Sequence, residues 1–345
     1  GINSVPIKLH ILRSNSGITS FDQAGFMESF MELNQVFKSI NVQFYLLPDI
    51  DYIDNTNYYD LNADQEEESL CRDNDVSNAV NLYVTNSIVF TYGFNAAGYA
   101  YYPSPIAASN RIFITNSSII SGGRTLTHEF GHYFNLLHTF RGNQNNDVTT
   151  RELVTRGNGA NCTTTGDFLC DTPADPYGMS GATVNGCSYT GTLTDANGMQ
   201  FAPQMTNTMS YYSEICGGGF SANQFDRLIE GFAFRNSPLN QYSILYSDPG
   251  VAKPTGLTAS ASQAGILLTY TDNAINEFGY IIERAVDAAG PFEPIISSVA
   301  NVESLIDQDL LSNTTFYYRV RAANGIEYTN VASVTTGTFY CQPTY

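Results

Sequence analysis

The chain has 345 residues, 43% of them hydrophobic and 14% charged, with a formal net charge of −18. That composition excludes a disordered or fibrous chain, so acidic a surface excludes a nucleic-acid partner, whose phosphates need a basic patch, and no apolar run of the ~18 residues needed to cross a bilayer as a helix is present. The length suits one large domain plus one small one. An acidic surface attracts basic peptides and cations; it also keeps an extracellular protein in solution.

In chain order, GINSVPIKLHIL has no basic start, apolar run or small-residue cleavage site, so a secreted form would be a mature or trimmed chain. VPIKLHI (5–11), VQFYLL (42–47), NLYV (81–84) and RIFIT (111–115) alternate apolar and polar residues and are predicted strands. Phe26, Phe30, Leu33, Phe37 and Ile40 between the first two form one face of a helix. The acidic segment 60–80 has room for a short helix and is otherwise expected to be solvated surface. From 141 to about 205 the chain turns to Gly, Asn, Thr, Asp and Pro, an irregular region that needs disulfides or bound cations to hold it. A helix returns at SANQFDRLIEGFAF, with Ser221 as N-cap and Phe225, Leu228, Ile229 and Phe232 on one face. SDPGVAKPTG then marks a domain boundary near residue 248.

Six cysteines, four of them between Cys162 and Cys216, point to disulfides and an extracellular setting. A second metal cluster is the competing reading. No C-x-x-C pair supports it, and the one histidine elsewhere, His10, sits in an early strand.

The chemistry concentrates in HEFGHYFNLLH, residues 128–138. Residues four apart share a helix face, so His128 and His132 can direct two imidazoles at one metal ion. Glu129 is placed beside the first as a general base. His138 completes a three-histidine site if the helix stops after His132 and the chain turns back. Such a turn needs a residue at positive φ, and Asn135 tolerates that region at about 1 kcal/mol relative to Gly. A structural zinc site is the rival, but those close with a fourth protein ligand, often Cys, and none lies near in sequence.

HEFGHYFNLLH resembles the extended zinc signature of the metzincin metallopeptidases, with Asn135 at its glycine. NTMSYYS (207–213) resembles their methionine turn, and GDFLCDTPADP (166–176), Cys216 and the VPIKLHIL start resemble the pappalysin family within them. The resemblance covers residues 4 to 235. It implies an α/β metzincin catalytic domain, with a twisted mixed sheet, a zinc helix and an irregular C-terminal subdomain, over 1–247. It also implies a secreted or cell-surface zinc endopeptidase made as a zymogen with an inhibitory propeptide, acting on proteins or peptides. The residues carried over are Met209 under the zinc and Tyr211 as a donor to the tetrahedral intermediate, with Tyr212 as the alternative. Asp167, the carbonyl of Cys170 and Thr172 correspond to a calcium site; Asp167 and Asp171 could equally cap turns. Cys187–Cys216 is the disulfide the family suggests, and Cys162–Cys170 the one sequence proximity suggests; Cys71 and Cys341 stay unassigned. The expected mechanism has zinc acidify a water while Glu129 takes its proton and hands it to the leaving amine. RIFIT is the expected edge along which substrate adds as a strand. The family preference for Arg or Lys after the cleaved bond assigns Glu214 to that pocket, or else to solvated surface. A catalytically silent zinc protein and a zinc hydrolase of non-peptide bonds are the alternatives.

Beyond the linker, GILLTYTDN, FGYIIERAV and TTFYYRVRAAN are short alternating strands. They resemble a fibronectin type III domain over 251–338, with Tyr270 at the place of its core Trp. Residues 339–345 look like the start of a linker or further module.

Overall fold

The computed structural model describes residues 1–142, 147–308 and 310–337. The expected linker or module at 339–345, with Cys341, lies outside the described residues. The chain begins with strand β1 (Asn3–Arg13) and helix α1 (Gln23–Phe37), then β2 (Val42–Leu46), β3 (Asp51–Asp54), the single turn α2 (Thr56–Tyr59), β4 (Asp60–Asn62) and α3 (Ala63–Asn74). It continues through β5 (Val80–Thr85), a hairpin of β6 (Ser87–Val89) and β7 (Asn95–Ala96), then β8 (Gly98–Ala100), β9 (Arg111–Thr115) and α4 (Thr125–Tyr133). A small hairpin of β10 (Val184–Asn185) and β11 (Ser188–Tyr189) stands in the mostly irregular chain before α5 (Ala222–Arg235).

The main sheet runs β2-β1-β5-β9-β8, with β3 also paired to β1; its neighbours are parallel except β8, which is antiparallel to β9. Val5, Ile7, Leu9 and Ile11 of β1 are buried, as expected for a strand covered on both faces. RIFIT is β9, and it is not an edge: β8 covers it, so the free edge is Gly98–Ala100. A three-residue strand opening on Gly carries almost no alternation to read.

The acidic segment holds a twelve-residue helix, α3. Its Glu67 is buried, accepting from Tyr99 and Tyr101 at 2.7 Å each and pairing with Arg111. Helix α5 starts on a Ser221 capping box. Its buried face differs from the expected one: Ile229 is 49% exposed, while Arg235 is fully buried. The Arg235 guanidinium donates to the carbonyls of Tyr133, Ser109 and Tyr101 and stacks over the Tyr133 ring, which pins the end of α4 to the strand region beside it.

The last seven strands, β12 (Thr255–Ser262), β13 (Gly265–Thr271), β14 (Gly279–Ala285), β15 (Glu293–Val299), β16 (Ser304–Asp307), β17 (Thr315–Ala322) and β18 (Ala332–Thr335), form two antiparallel sheets, β12-β13-β16 and β15-β14-β17-β18. Tyr270, Tyr280, Ile282 and Tyr318 are buried in the core of this sandwich. The sandwich is docked on the main body: Phe278, Ile281 and Ala323 belong to the same apolar cluster as Phe26 and Phe30 of α1. Buried Arg321 donates to Asn34 Oδ1 and Phe44 O, and Leu46 N donates to Ala323 O.

Candidate metal centre and active-site cleft

Helix α4 ends at Tyr133, and Asn135 takes φ 81°, turning the chain back. The amides of Asn135 and Leu136 close the turn onto His132 O and Gly131 O, both at 2.9 Å. His138 thereby returns to the helix. Its Nε2 lies 2.9 Å from His132 Nε2 and 3.2 Å from His128 Nε2. His128 Nδ1 lies 2.7 Å from Thr208 O, and His132 Nδ1 lies 2.7 Å from Leu136 O. A carbonyl only accepts, so each Nδ1 carries the proton and each Nε2 presents its lone pair to the same point. Burial, and for His128 and His138 the neighbouring imidazoles, hold all three rings neutral: His132 is pushed down to about 4, His138 to about 3, and His128 well below its ordinary value. Three converging lone pairs repel one another unless a cation stands between them, so the donor set fits a metal ion and, being all nitrogen, fits zinc.

Glu129 is buried beside this trio, and its Oε2 has no hydrogen-bond partner among the described residues. Burial pushes its carboxyl up to about 8. Gly98 of the edge strand lies against it; a Cβ there would stand 2.9 Å from Glu129 Oε1. Beneath the helix, Met209 is fully buried, and a Cβ on Gly131 would meet its Sδ at 2.6 Å. Tyr211 is 52% exposed, with its ring 4.8 Å from that of His138 and 5.4 Å from that of His128. Tyr212 points elsewhere, donating to Asp175 Oδ1 at 2.8 Å.

The three histidines, Glu129, Gly98, Tyr211 and Tyr212 line one cleft of about 620 Å³, which Glu214 also lines. Glu214 Oε1 accepts from Thr125 Oγ1 at 2.8 Å. The wall carrying it is shaped by buried Arg124, whose guanidinium donates to the carbonyls of Tyr212, Ser213 and Gly217. Cys187 is bonded to Cys216 at its end, and Cys162 to Cys170. Cys71 is free and buried.

In the loop before residues 207–213, Asp167 Oδ1 accepts from Leu169 N and Thr172 Oγ1, both at 3.0 Å, while Oδ2 is buried without a hydrogen-bond partner among the described residues. Asp171 is committed to α5, accepting from Ser221 Oγ and Asn223 N. Sequence reasoning missed Asp175, which accepts from Thr139 and Ser210 at 2.6 Å and from Tyr212, joining the chain after His138 to the segment that follows Met209. It also missed Arg124 and Gly98. Each acts through contacts made across the fold, and none carries a local pattern.

An α/β body with a histidine trio and a buried carboxylate in one cleft fits a metallopeptidase. The family model described as pregnancy-associated plasma protein-A, the M43 peptidases, matches residues 64–233. An extracellular metalloprotease of Sordaria macrospora is 25% identical over 254 residues, spanning 66% of this chain and 74% of that protein. One of Colletotrichum graminicola is 30% identical over 167 residues, 45% of this chain and 49% of that protein. A third, of Neurospora crassa, is 25% identical over 244 residues, 65% and 73% of the two. Over residues 64–233, just under half of its length, the chain is similar to the pappalysin-type metallopeptidases. It is a metalloendopeptidase with a catalytic zinc.

Proposed function

We propose that the chain is a secreted endopeptidase of metzincin type whose zinc is held by His128, His132 and His138, with Glu129 as general base. The observation that carries this is the convergence of three Nε2 atoms, with those of His128 and His132 left proton-free by their Nδ1 bonds, beside a buried carboxyl oxygen without a hydrogen-bond partner among the described residues. Zinc bound there supplies Lewis acidity to the peptide carbonyl and acidifies the attacking water toward neutral pH. Glu129 takes that proton and delivers it to the leaving amine. Tyr211, neutral because burial raises its phenol to about 12, donates to the developing oxyanion. Met209 supports the histidines from below through its contact with Gly131.

The substrate lies along Gly98–Ala100 as an added strand, since that edge passes directly over Glu129. Glu214 faces a side chain after the scissile bond and favours Arg or Lys there; its place in the cleft wall supports this reading. Calcium at Asp167, Cys170 O and Thr172 is supported by the partnerless Asp167 oxygen. Secretion is supported by the two disulfides and by the extracellular relatives. The division into a catalytic domain at 1–247 and a fibronectin type III-like domain from 251 is supported by the three-plus-four strand arrangement of the latter. Chelation tests the core of this reading. Casein digestion stops on zinc removal and returns with added zinc; digestion that continues in zinc-free protein sinks it.

A further inference from the structure

One wall of the cleft has no role in the chemistry above. The β6–β7 hairpin ends in Phe90, Thr91, Tyr92, Gly93 and Phe94, closed by bonds of 2.8 Å from Phe90 N to Phe94 O and from Gly93 N to Phe90 O. Thr91 N donates to Asp64 Oδ2 of α3 at 2.8 Å, so the tip is held in place and that carboxylate is occupied. Phe90 rests on Tyr99 and on Phe94, at ring separations of 5.7 and 5.8 Å. Phe94 is nevertheless 65% exposed, and it lines the same cleft as His128 and Glu129. Tyr92 at the tip is 99% exposed. A large ring held in water at the mouth of an active-site cleft is surface that a ligand can cover.

The hairpin also has a definite place along the cleft. It leads directly into β8, where Gly98 lies against Glu129, whereas Tyr102, just past the strand, lies 3.4 Å from His132. The edge strand therefore advances in the same direction as α4, and the hairpin lies toward the N-terminal end of that helix. Arg124, Thr125 and Glu214 are at that end too.

We infer that the hairpin tip is a specificity subsite that receives a large apolar side chain of the substrate polypeptide. Phe94 forms its face, Phe90 backs that ring, and Tyr92 forms the rim. The apolar residue falls on the same side of the scissile bond as the residue facing Glu214, so the cleft reads a carbon-rich side chain and a cation within one short segment. The inference rests on the endopeptidase reading.

Cleavage-site profiling of a peptide library tests it, paired with binding of the same peptides to a Glu129→Ala protein, which needs no turnover. One position near the cut is expected to favour Phe, Leu or Met over Ser by about tenfold in kcat/KM and in binding, as burial of one side chain implies. Phe94→Ser, a change at an exposed ring, lowers that ratio at least about fivefold, and Phe94→Tyr retains it. No apolar preference in the wild-type profile, a preference on the other side of the cut, or a ratio unmoved by Phe94→Ser overturns the subsite while leaving the peptidase intact. An apolar binding preference in a protein that cuts no peptide would instead keep the subsite and sink the endopeptidase reading.

Discussion

Gly131 sits where the zinc helix crosses Met209, and the 2.6 Å that a Cβ would leave to the sulfur is closer than real side chains approach. Gly131→Ala therefore pushes Met209 out of its place or tilts α4, and overpacking of this kind costs about 1–3 kcal/mol. The expected outcome is a thermal midpoint a few degrees lower and weaker zinc retention, read by calorimetry and metal analysis; unchanged zinc affinity would show that Met209 does not support the site. At the cleft wall, Glu214→Gln keeps the bond to Thr125 but removes the charge. A preference for Arg after the cut is expected to fall about tenfold, as loss of one charge-assisted pair implies. A profile still favouring Arg would return Glu214 to plain surface. At this scale the metal trio was legible because three histidines at helical and turn spacing are rare, and Asn135 because only a few residue types accept a positive φ. Arg235 was not: a charged residue in the last turn of a helix reads as exposed, and only the fold reveals the carbonyls waiting for it.

Among the elements, α1, α5 and four strands of the main sheet could be read from apolar patterning and caps, and α4 from its histidine spacing. The three-residue edge strand was hidden, and the error moved the substrate edge from β9 to β8. The loop of 150–176 buries the carboxyl groups of Glu152 and Asp167. Burial raises the carboxyl of Glu152 to about 8 and that of Asp167 to about 6. An acid raised in the folded state binds more protons folded than unfolded, so its effect on stability is least harmful at low pH and worsens as pH rises from the unfolded value through the folded one. Metal-free protein is accordingly expected to lose thermal stability between about pH 5 and pH 8, and calcium to restore it most at the upper end. Calorimetry in chelator against calcium reads this directly. A midpoint indifferent to calcium at pH 8 would remove the ion from Asp167.

At the scale of the whole molecule, the C-terminal strands were legible as a sandwich beyond a boundary near residue 248, but not the surface they pack on. One apolar cluster runs from Phe26 and Phe30 through Phe278 and Ile281. Buried Arg321 is seated on Asn34 and Phe44, across 287 and 277 residues of chain. Such docking depends on surface shape, which no periodicity encodes. The two parts are expected to unfold in one transition. Arg321→Met removes its bonds to Asn34 Oδ1 and Phe44 O, at about 1–3 kcal/mol, and should lower that single transition or split it into two. An unchanged transition would mean the interface contributes nothing to stability.

The central claim is that Glu129 moves the proton at a centre built by His128, His132 and His138. Casein hydrolysis by Glu129→Ala, compared with wild type at equal zinc content, tests it most directly. The expected result is one zinc per chain in both proteins and a loss of at least about a thousandfold in rate in the variant, the scale of a lost general base. Hydrolysis by zinc-loaded Glu129→Ala at the wild-type rate would contradict the account.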